Sequence, residues 1–343
     1  MTGPKLMKMA RSAPYPGWMY AVVACLAGVA PDAMAGTFNI SWDNDLLTAS
    51  DKGYTNGGRL SYLTDAAEVD DDCSVCLAAH ARDGLDWLPG IGAAGDQHAL
   101  AFSLRQLMFT PENIESSEPQ YDDIPYAGYL DGSLTLWSWN DDWITGYGLI
   151  VGVVGPDSGA RRTQEWVHKL TGSTEPQGWD NQIGQDAVGG LEAYHARRFF
   201  RTPAGEGLQN EVSWGAGVTA SNFITNAQTG LVWRLGENLP RDFVPLTSGA
   251  SSTLALPGST DAPGMGWSVF AGVGGQWVPY SYMDHHADPY TYDQNPFIWQ
   301  AGVGAGWHWN GFQATLILRG TSSPDKTNKD ELTFGTLAAT WSW

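Results

Sequence analysis

The chain has 343 residues, of which only 16% are charged, and a net charge of −19. That acidic balance excludes nucleic acid as the main partner, because a phosphate backbone is met by Lys and Arg. Glycine (42) and tryptophan (17) are abundant while mean hydropathy is −0.25, and beyond residue 35 no apolar run reaches the roughly 18 residues of a spanning helix, so a helical membrane protein is excluded and a membrane barrel is not.

The N-terminus reads as a secretory signal. Lys5, Lys8 and Arg11 precede an apolar stretch at 18–30, and Ala33-Met34-Ala35 resembles a cleavage site. Residues 1–35 are therefore expected to be removed, leaving 36–343 as one domain. Val22-Val23-Ala24-Cys25 resembles a lipoprotein box, but the residues after Cys25 stay apolar instead of becoming a polar tether. Cys73 and Cys76 then remain, beside Asp70-Asp71-Asp72 and outside any βαβ pattern. In an oxidising compartment a small loop disulfide is the expectation.

From residue 37 onward the dominant pattern has period two. Strands are expected at 37–44, 55–63, 98–108, 127–138, 143–154, 188–200, 209–219, 227–236, 265–278, 297–309, 311–320 and 332–343. Within 297–309, Phe297, Trp299, Ala301, Val303, Ala305, Trp307 and Trp309 share one face, with Gln300, His308 and glycines on the other. Apolar outside and small or polar inside is the pattern of a lipid-embedded barrel, and single-chain bacterial barrels close with even strand numbers. The last strand ends on Trp341-Ser342-Trp343, a terminal aromatic strand like the assembly signal of outer-membrane barrels. The expected fold is all-β: a twelve-stranded antiparallel transmembrane barrel in the outer membrane of a Gram-negative bacterium.

One segment departs from the alternation. Pro156 and Asp157 before it, Gly172 after it, and Trp166, Val167 and Leu170 at helical spacing predict a short helix over 160–172 at one rim. On it Gln164 and His168 stand four apart and share a face. An imidazole titrates near neutral pH and suits a general base. Two further polar groups stand at strand ends. Asp43-Asn44-Asp45 offers hard oxygen ligands of the kind Ca²⁺ takes, and Tyr54-Thr55-Asn56-Gly57 opens the next strand, so a hairpin would bring Thr55 towards Asn44 and Asp45. Neither G-x-S-x-G nor H-E-x-x-H occurs, so a hydrolase built on this chain would use an activated water.

Several blocks, in order, resemble the lipid A 3′-O-deacylase family. They are Asn44-Asp45; Tyr54-Thr55-Asn56-Gly57-Gly58-Arg59; Asp123-Ile124-Pro125-Tyr126-Ala127-Gly128; Gly155-Pro156-Asp157 with Gln164-Glu165-Trp166-Val167-His168; and Pro176-Gln177-Gly178-Trp179-Asp180-Asn181. The resemblance implies a twelve-stranded barrel that removes the 3′ acyl groups of lipid A, with lipopolysaccharide as its partner and Ca²⁺ as its cofactor. It further implies His168 as the base, Gln164 as a positioning group, Asn44 and Thr55 in the same site, and Asp45 as a metal ligand. The chain departs from the family in two places. The loop at 110–119 has no Lys or Arg where characterised members carry a functional Lys, and Ile124 stands where many carry Arg. An outer-membrane phospholipase and a porin-like barrel are the rival readings. The first would need a His-x-Ser arrangement, which the sequence lacks.

Overall fold

The period-two alternation is realised as strands that close on themselves. The computed structural model describes residues 36–44, 53–68, 77–93, 96–243, 256–258, 260–327 and 331–343. The expected signal segment 1–35, Asp45, Cys73 and Cys76 lie outside the described residues. In chain order the strands are β1 (Gly36–Asn44), β2 (Gly53–Thr64, prolonged by Ala67–Glu68), β3 (Gln97–Thr110), β4 (Ala127–Trp139), β5 (Trp143–Val154) and β6 (Asp186–Pro203). They continue with β7 (Leu208–Ser221), β8 (Ile224–Glu237), β9 (Met265–Ser281), β10 (Phe297–Trp309), β11 (Phe312–Thr321) and β12 (Leu332–Ser342). Each pairs antiparallel with its chain neighbours, and β1 pairs with β12 from Thr37↔Ser342 to Asn44↔Gly335, which closes the sheet. Among the described residues this is the twelve-stranded antiparallel barrel that the alternation predicts, with strands of 9 to 18 residues. No described helix is long and apolar enough to cross a membrane.

Register decides which side chains meet lipid. The rung Ser41–Arg59–Arg105–Asp131 faces inward, where Arg105 Nε donates to Asp131 Oδ2 at 2.8 Å. Ile40, Trp42, Leu60 and Leu134, an odd number of residues away along their strands, face outward and are exposed. The face predicted for 297–309 is the outward one, with Trp299 and Val303 exposed and His308 buried. Trp307, Trp309 and Trp343 stand outward near strand ends, as an interfacial girdle requires.

The interior is packed towards the end that carries Gly36 and Trp343. Phe243 and Leu256, from the segment linking β8 to β9, join Trp137, Trp139 and Ile144 in one buried cluster. Beside it Glu211 accepts from Arg198 at 2.6 Å, from Arg201 at 2.6 Å and from Arg234 at 2.9 Å, while Arg234 also meets Asp242 at 2.5 Å. Glu211 and Arg234 are 2% and 1% exposed. Removing one member of such a buried network leaves charges without compensation, at a cost of about 3–5 kcal/mol. Glu211→Ala is therefore expected to lower markedly the temperature at which the folded barrel loses its compact electrophoretic mobility. An unchanged midpoint would show that the network contributes nothing to stability.

The strand connections sort into two rims. The terminal rim carries Gly36 and Trp343, helix α1 (Leu77–Leu85) and the turn at 140–142. The opposite rim carries the connections 111–126, 155–185 and 282–296, with helix α2 (Ala160–Thr171) and the single turn α3 (Tyr282–His285). The predicted rim helix is present as α2. The helices α1 and α3 went unread in the sequence. α1 is short and packs Ala78 and Leu85 onto Leu100 and Leu136 of the outer wall, so its apolar face is too brief for a periodic signal.

Candidate functional site

Lipid-facing positions of a barrel wall are apolar, and one rung breaks that rule. Asn44 of β1 pairs with Asn56 of β2, Asn56 with Met108 of β3, and Met108 with Gly128 of β4. Gly155 N then donates to Gly128 O at 2.7 Å. Each residue lies three positions from its counterpart in the inward rung Ser41–Arg59–Arg105–Asp131, so these four face outward. Asn44 is nevertheless only 5% exposed, and Met108 2%. An amide buried on the lipid side of the wall, next to the rim, is the feature from which the rest of the site is built.

Helix α2 roofs this part of the wall. It is introduced by the short helical turn Pro156–Ser158 and bounded by two left-handed glycines, Gly159 (φ 72°) and Gly172 (φ 73°), as the Gly172 stop signal predicts. Two contacts seat it. Gln106 Nε2, outward on β3, donates to Ser158 O at 2.7 Å. Gly128 leaves room, since a Cβ there would stand 2.2 Å from Ser158 Oγ and 2.6 Å from Ala160 Cβ. Gly128→Val is thus expected to lift the helix from the wall. Overpacking of this kind costs about 1–3 kcal/mol, and tryptic cleavage within 155–185 should accelerate roughly tenfold while the barrel keeps its mobility. Unchanged cleavage would mean that Gly128 does not seat the helix.

The buried face of α2 presents Gln164, 3% exposed. Its Oε1 accepts a hydrogen bond from Trp179 Nε1 at 2.6 Å. An indole N–H only donates, so this contact fixes which end of the amide is oxygen. The other end, Nε2, is buried and has no protein partner among the described residues. Trp179 itself is 1% exposed and packs with Met108, Tyr126 and Ala160. Gln164 is in this way tied through Trp179 to the very rung that carries Asn44.

One turn further along the same face stands half-buried His168. Its Nδ1 lies 2.5 Å from Thr174 O. A carbonyl only accepts, so Nδ1 carries the hydrogen and the neutral ring keeps its lone pair on Nε2. At the start of the helix Arg161 bridges Glu165 (2.7 Å) and Asp180 (2.5 Å), tying α2 to the segment that holds Trp179. These hydrogen bonds push the Arg161 guanidinium above its ordinary pKa.

The register places Thr55 one residue beyond Asn56, at the irregularity between Tyr54 and Asn56 opposite β3. The hairpin expected from the sequence therefore brings the backbone at Thr55 to the rung of Asn44. Asp45 follows Asn44 in the chain. Among the described residues no group of three His, Cys, Asp or Glu side chains is arranged for a metal ion. Asn44 at the end of β1 carries an amide oxygen and the next residue in the sequence, Asp45, a carboxylate; oxygen donors of these two kinds are among those Ca²⁺ takes.

Three contributors were given no role from the sequence: Gln106, and Trp179 and Gly128, which stood there only within the family-like blocks. Trp179 left a signal, a lone tryptophan within the Gly- and Pro-rich stretch 176–182. The loop at 110–119 packs on that stretch, with Gln177 N donating to Ile114 O at 2.8 Å and Asn181 Nδ2 to Ser117 O at 2.8 Å. Ile124 lines the barrel mouth, in a cavity of about 300 Å³ that also touches Arg59, Arg105 and Glu192. That cavity lies on the inner side of the wall, across from α2.

Comparison with known proteins bears on the family and the fold. The chain matches the family described as "Outer membrane protein LpxR" over residues 17–343. Its fold is similar to that of LpxR from Salmonella typhimurium, with 19% identity, a TM-score of 0.69, and coverage of 90% of this chain and 100% of that one. The β domain of the Bordetella autotransporter BrkA covers the same share of both chains at 8% identity and a TM-score of 0.42. No curated protein sequence matches. With a family match spanning nearly its whole length and a closed barrel to go with it, the chain belongs to the LpxR family of outer-membrane proteins.

Proposed function

We propose that this barrel is a lipid A deacylase, which hydrolyses the ester holding the 3′ acyl(oxyacyl) groups of lipid A in the outer leaflet. Family membership supports an outer-membrane barrel that modifies lipid A. The observation that carries the finer reading is the position of the polar rung. It faces the lipid side of the wall under α2, so an ester in the leaflet reaches it laterally, without entering the lumen.

Within this reading residues 1–35 direct export, and the rim with α2 faces the cell exterior. His168 Nε2, left with its lone pair by the Nδ1 contact to Thr174 O, takes the proton of the attacking water. The two N–H groups of Gln164 Nε2, without a protein partner, hold that water or an oxygen of the substrate. Asn44 and Thr55 contribute polar groups from the wall. Asn44 and Asp45 would hold Ca²⁺, which when bound would act as a Lewis acid on the ester carbonyl. Water adds to the acyl carbon, the bond to the sugar oxygen breaks, and the imidazolium returns the proton to that oxygen. A fatty acid and a free 3′ hydroxyl result. The loop at 110–119 has no cation to offer the lipid A phosphates. The exposed positions Arg162 and Lys169 of α2 supply positive charge next to the site instead.

The porin-like alternative is disfavoured by the buried cluster around Phe243 and the Glu211 network, which fill the barrel towards the terminal rim. The test is incubation of the purified barrel with lipid A, or with phosphatidylethanolamine, in mixed micelles containing Ca²⁺. Mass spectrometry should show loss of the 3′ acyl groups from lipid A and intact phospholipid. Lipid A left intact by the folded barrel would refute the proposal.

A further inference from the structure

A second polar break in the lipid-facing surface lies near the terminal rim, far along the wall from α2. It is built from three successive outward rungs across β5, β6 and β7. In the first, Trp143 pairs with Arg197 and Arg197 with Trp214. In the second, Thr145 pairs with His195 and His195 with Ala216. In the third, Tyr147 pairs with Ala193 and Ala193 with Val218. Ala227 of β8 pairs with Val218 and continues the third rung.

These rungs enclose a groove of about 750 Å³ on the outer wall. Its floor is small: Ala193, Ala216 and Ala227. Its sides are tall, with Tyr147 and the Pro89–Gly90 backbone on one side, where Tyr147 Oη donates to Pro89 O at 2.9 Å. The polar groups within it are mostly satisfied internally. Thr145 Oγ1 and His195 Nδ1 are 2.8 Å apart, and Trp214 Nε1 donates to Thr229 Oγ1 at 2.8 Å. Arg197 is not among these. It is exposed, and it forms no ion pair among the described residues.

A cation on the lipid side of a barrel wall is costly unless it reaches an anion or the interface. Arg197 stands on β6 opposite Trp143, the first residue of β5, beside the turn at 140–142, where Arg198 N donates to Asp142 O at 2.7 Å. That position is near the terminal end of the wall. A tryptophan on each neighbouring strand completes an interfacial setting. The groove then runs from Arg197 towards the membrane interior along a smooth alanine floor. From the first rung to the third is four residues of strand, or about 13 Å, the length of a substantial part of an acyl chain. Charge at one end and an apolar trough at the other match one class of ligand.

We propose that this groove holds a single glycerophospholipid of the leaflet at the terminal rim, with its phosphate on Arg197 between Trp143 and Trp214 and one acyl chain along Ala193, Ala216 and Ala227. The guanidinium suits a phosphate through paired N–H donors. The bound lipid bridges β5 to β8 on the outer wall. The groove is independent of the hydrolytic site, because it lies on other strands and at the terminal rim.

The test is native mass spectrometry of the full barrel purified in a mild detergent, stripped of lipid and titrated with phosphatidylglycerol, with inorganic phosphate as a control. The wild type is expected to retain one phospholipid and to ignore phosphate. Arg197→Gln should weaken retention roughly tenfold, the loss of one charge-assisted phosphate contact. Ala216→Trp, which fills the trough from the lipid side without entering the lumen, should weaken it at least as much. Compact electrophoretic mobility reports that both variants are folded. Equal retention in the wild type and both folded variants, or a spread of several weakly held lipids, would overturn the proposal. Competition by inorganic phosphate alone would do so too.

Discussion

Replacing His168 with alanine is expected to lower the rate of deacylation by about 10²–10⁴-fold, the usual contribution of a positioned general base, with little change in the affinity for lipid A. The ring's orientation is what makes His168 the base. Nδ1 is 2.5 Å from a carbonyl oxygen that can only accept, so the basic nitrogen is Nε2. The chain spends a backbone contact, Thr174 O, on holding that tautomer. A glutamine at 168 could reach the same carbonyl through its amide but has no basic nitrogen. His168→Gln should therefore be as inactive as alanine while α2 stays seated, as judged by unchanged tryptic cleavage. Steady-state kinetics in mixed micelles measures both variants. Activity within a few fold of wild type would remove His168 from the mechanism.

The second large effect is expected on removal of calcium. The proposed mechanism assigns stabilisation of the developing oxyanion to the metal. Withdrawing it with a chelator should cost on the order of 10³-fold, comparable to losing an oxyanion-hole donor, and Asp45→Ala should do the same at any ordinary Ca²⁺ concentration. Re-added Ca²⁺ should restore the wild type. Mg²⁺ should not, since it demands stricter octahedral geometry and gives up water reluctantly. Full activity in chelator would show that the oxygen groups at the end of β1 serve another purpose.

Much of the barrel was legible because membrane strands obey a rule that a single sequence displays. Each lipid-facing residue must be apolar, and its neighbours need not be. The alternation at 297–309 gave the outward face of β10 directly, and Gly172 marked the end of α2. What a sequence does not display is register across strands that are far apart in the chain. Asn44 and Met108 lie on one rung only because β1, β2 and β3 pair as they do. The same alternation that identified the strands also shows, once register is known, that Asn44 and Gln106 face lipid and are out of place there. The role of Trp179 was not legible for a related reason. Its hydrogen bond to Gln164 joins two parts of one long connection whose path has no periodicity. Gly128 looked like one more glycine at the start of a strand, and its role is the closeness of Ser158 and Ala160.

The loop without a cation separates the fold from the substrate. Residues 111–126 are held in place by their own chemistry, with Asp123 Oδ2 accepting from Glu112 N at 2.8 Å and Oδ1 from Ile124 N at 2.7 Å. Its shape therefore does not depend on a Lys. Positive charge near the site comes from α2, and charge reversal at Arg162 and Lys169 would report on phosphate recognition separately from catalysis.

The most direct measurement is mass spectrometry of lipid A extracted from Gram-negative cells that express this chain, beside cells expressing the Gln164→Ala and His168→Ala forms at equal outer-membrane levels. The account predicts that lipid A lacks its 3′ acyl groups only in cells with the unaltered chain. Lipid A of unchanged mass in all three, with the barrel folded in the outer membrane, would contradict it.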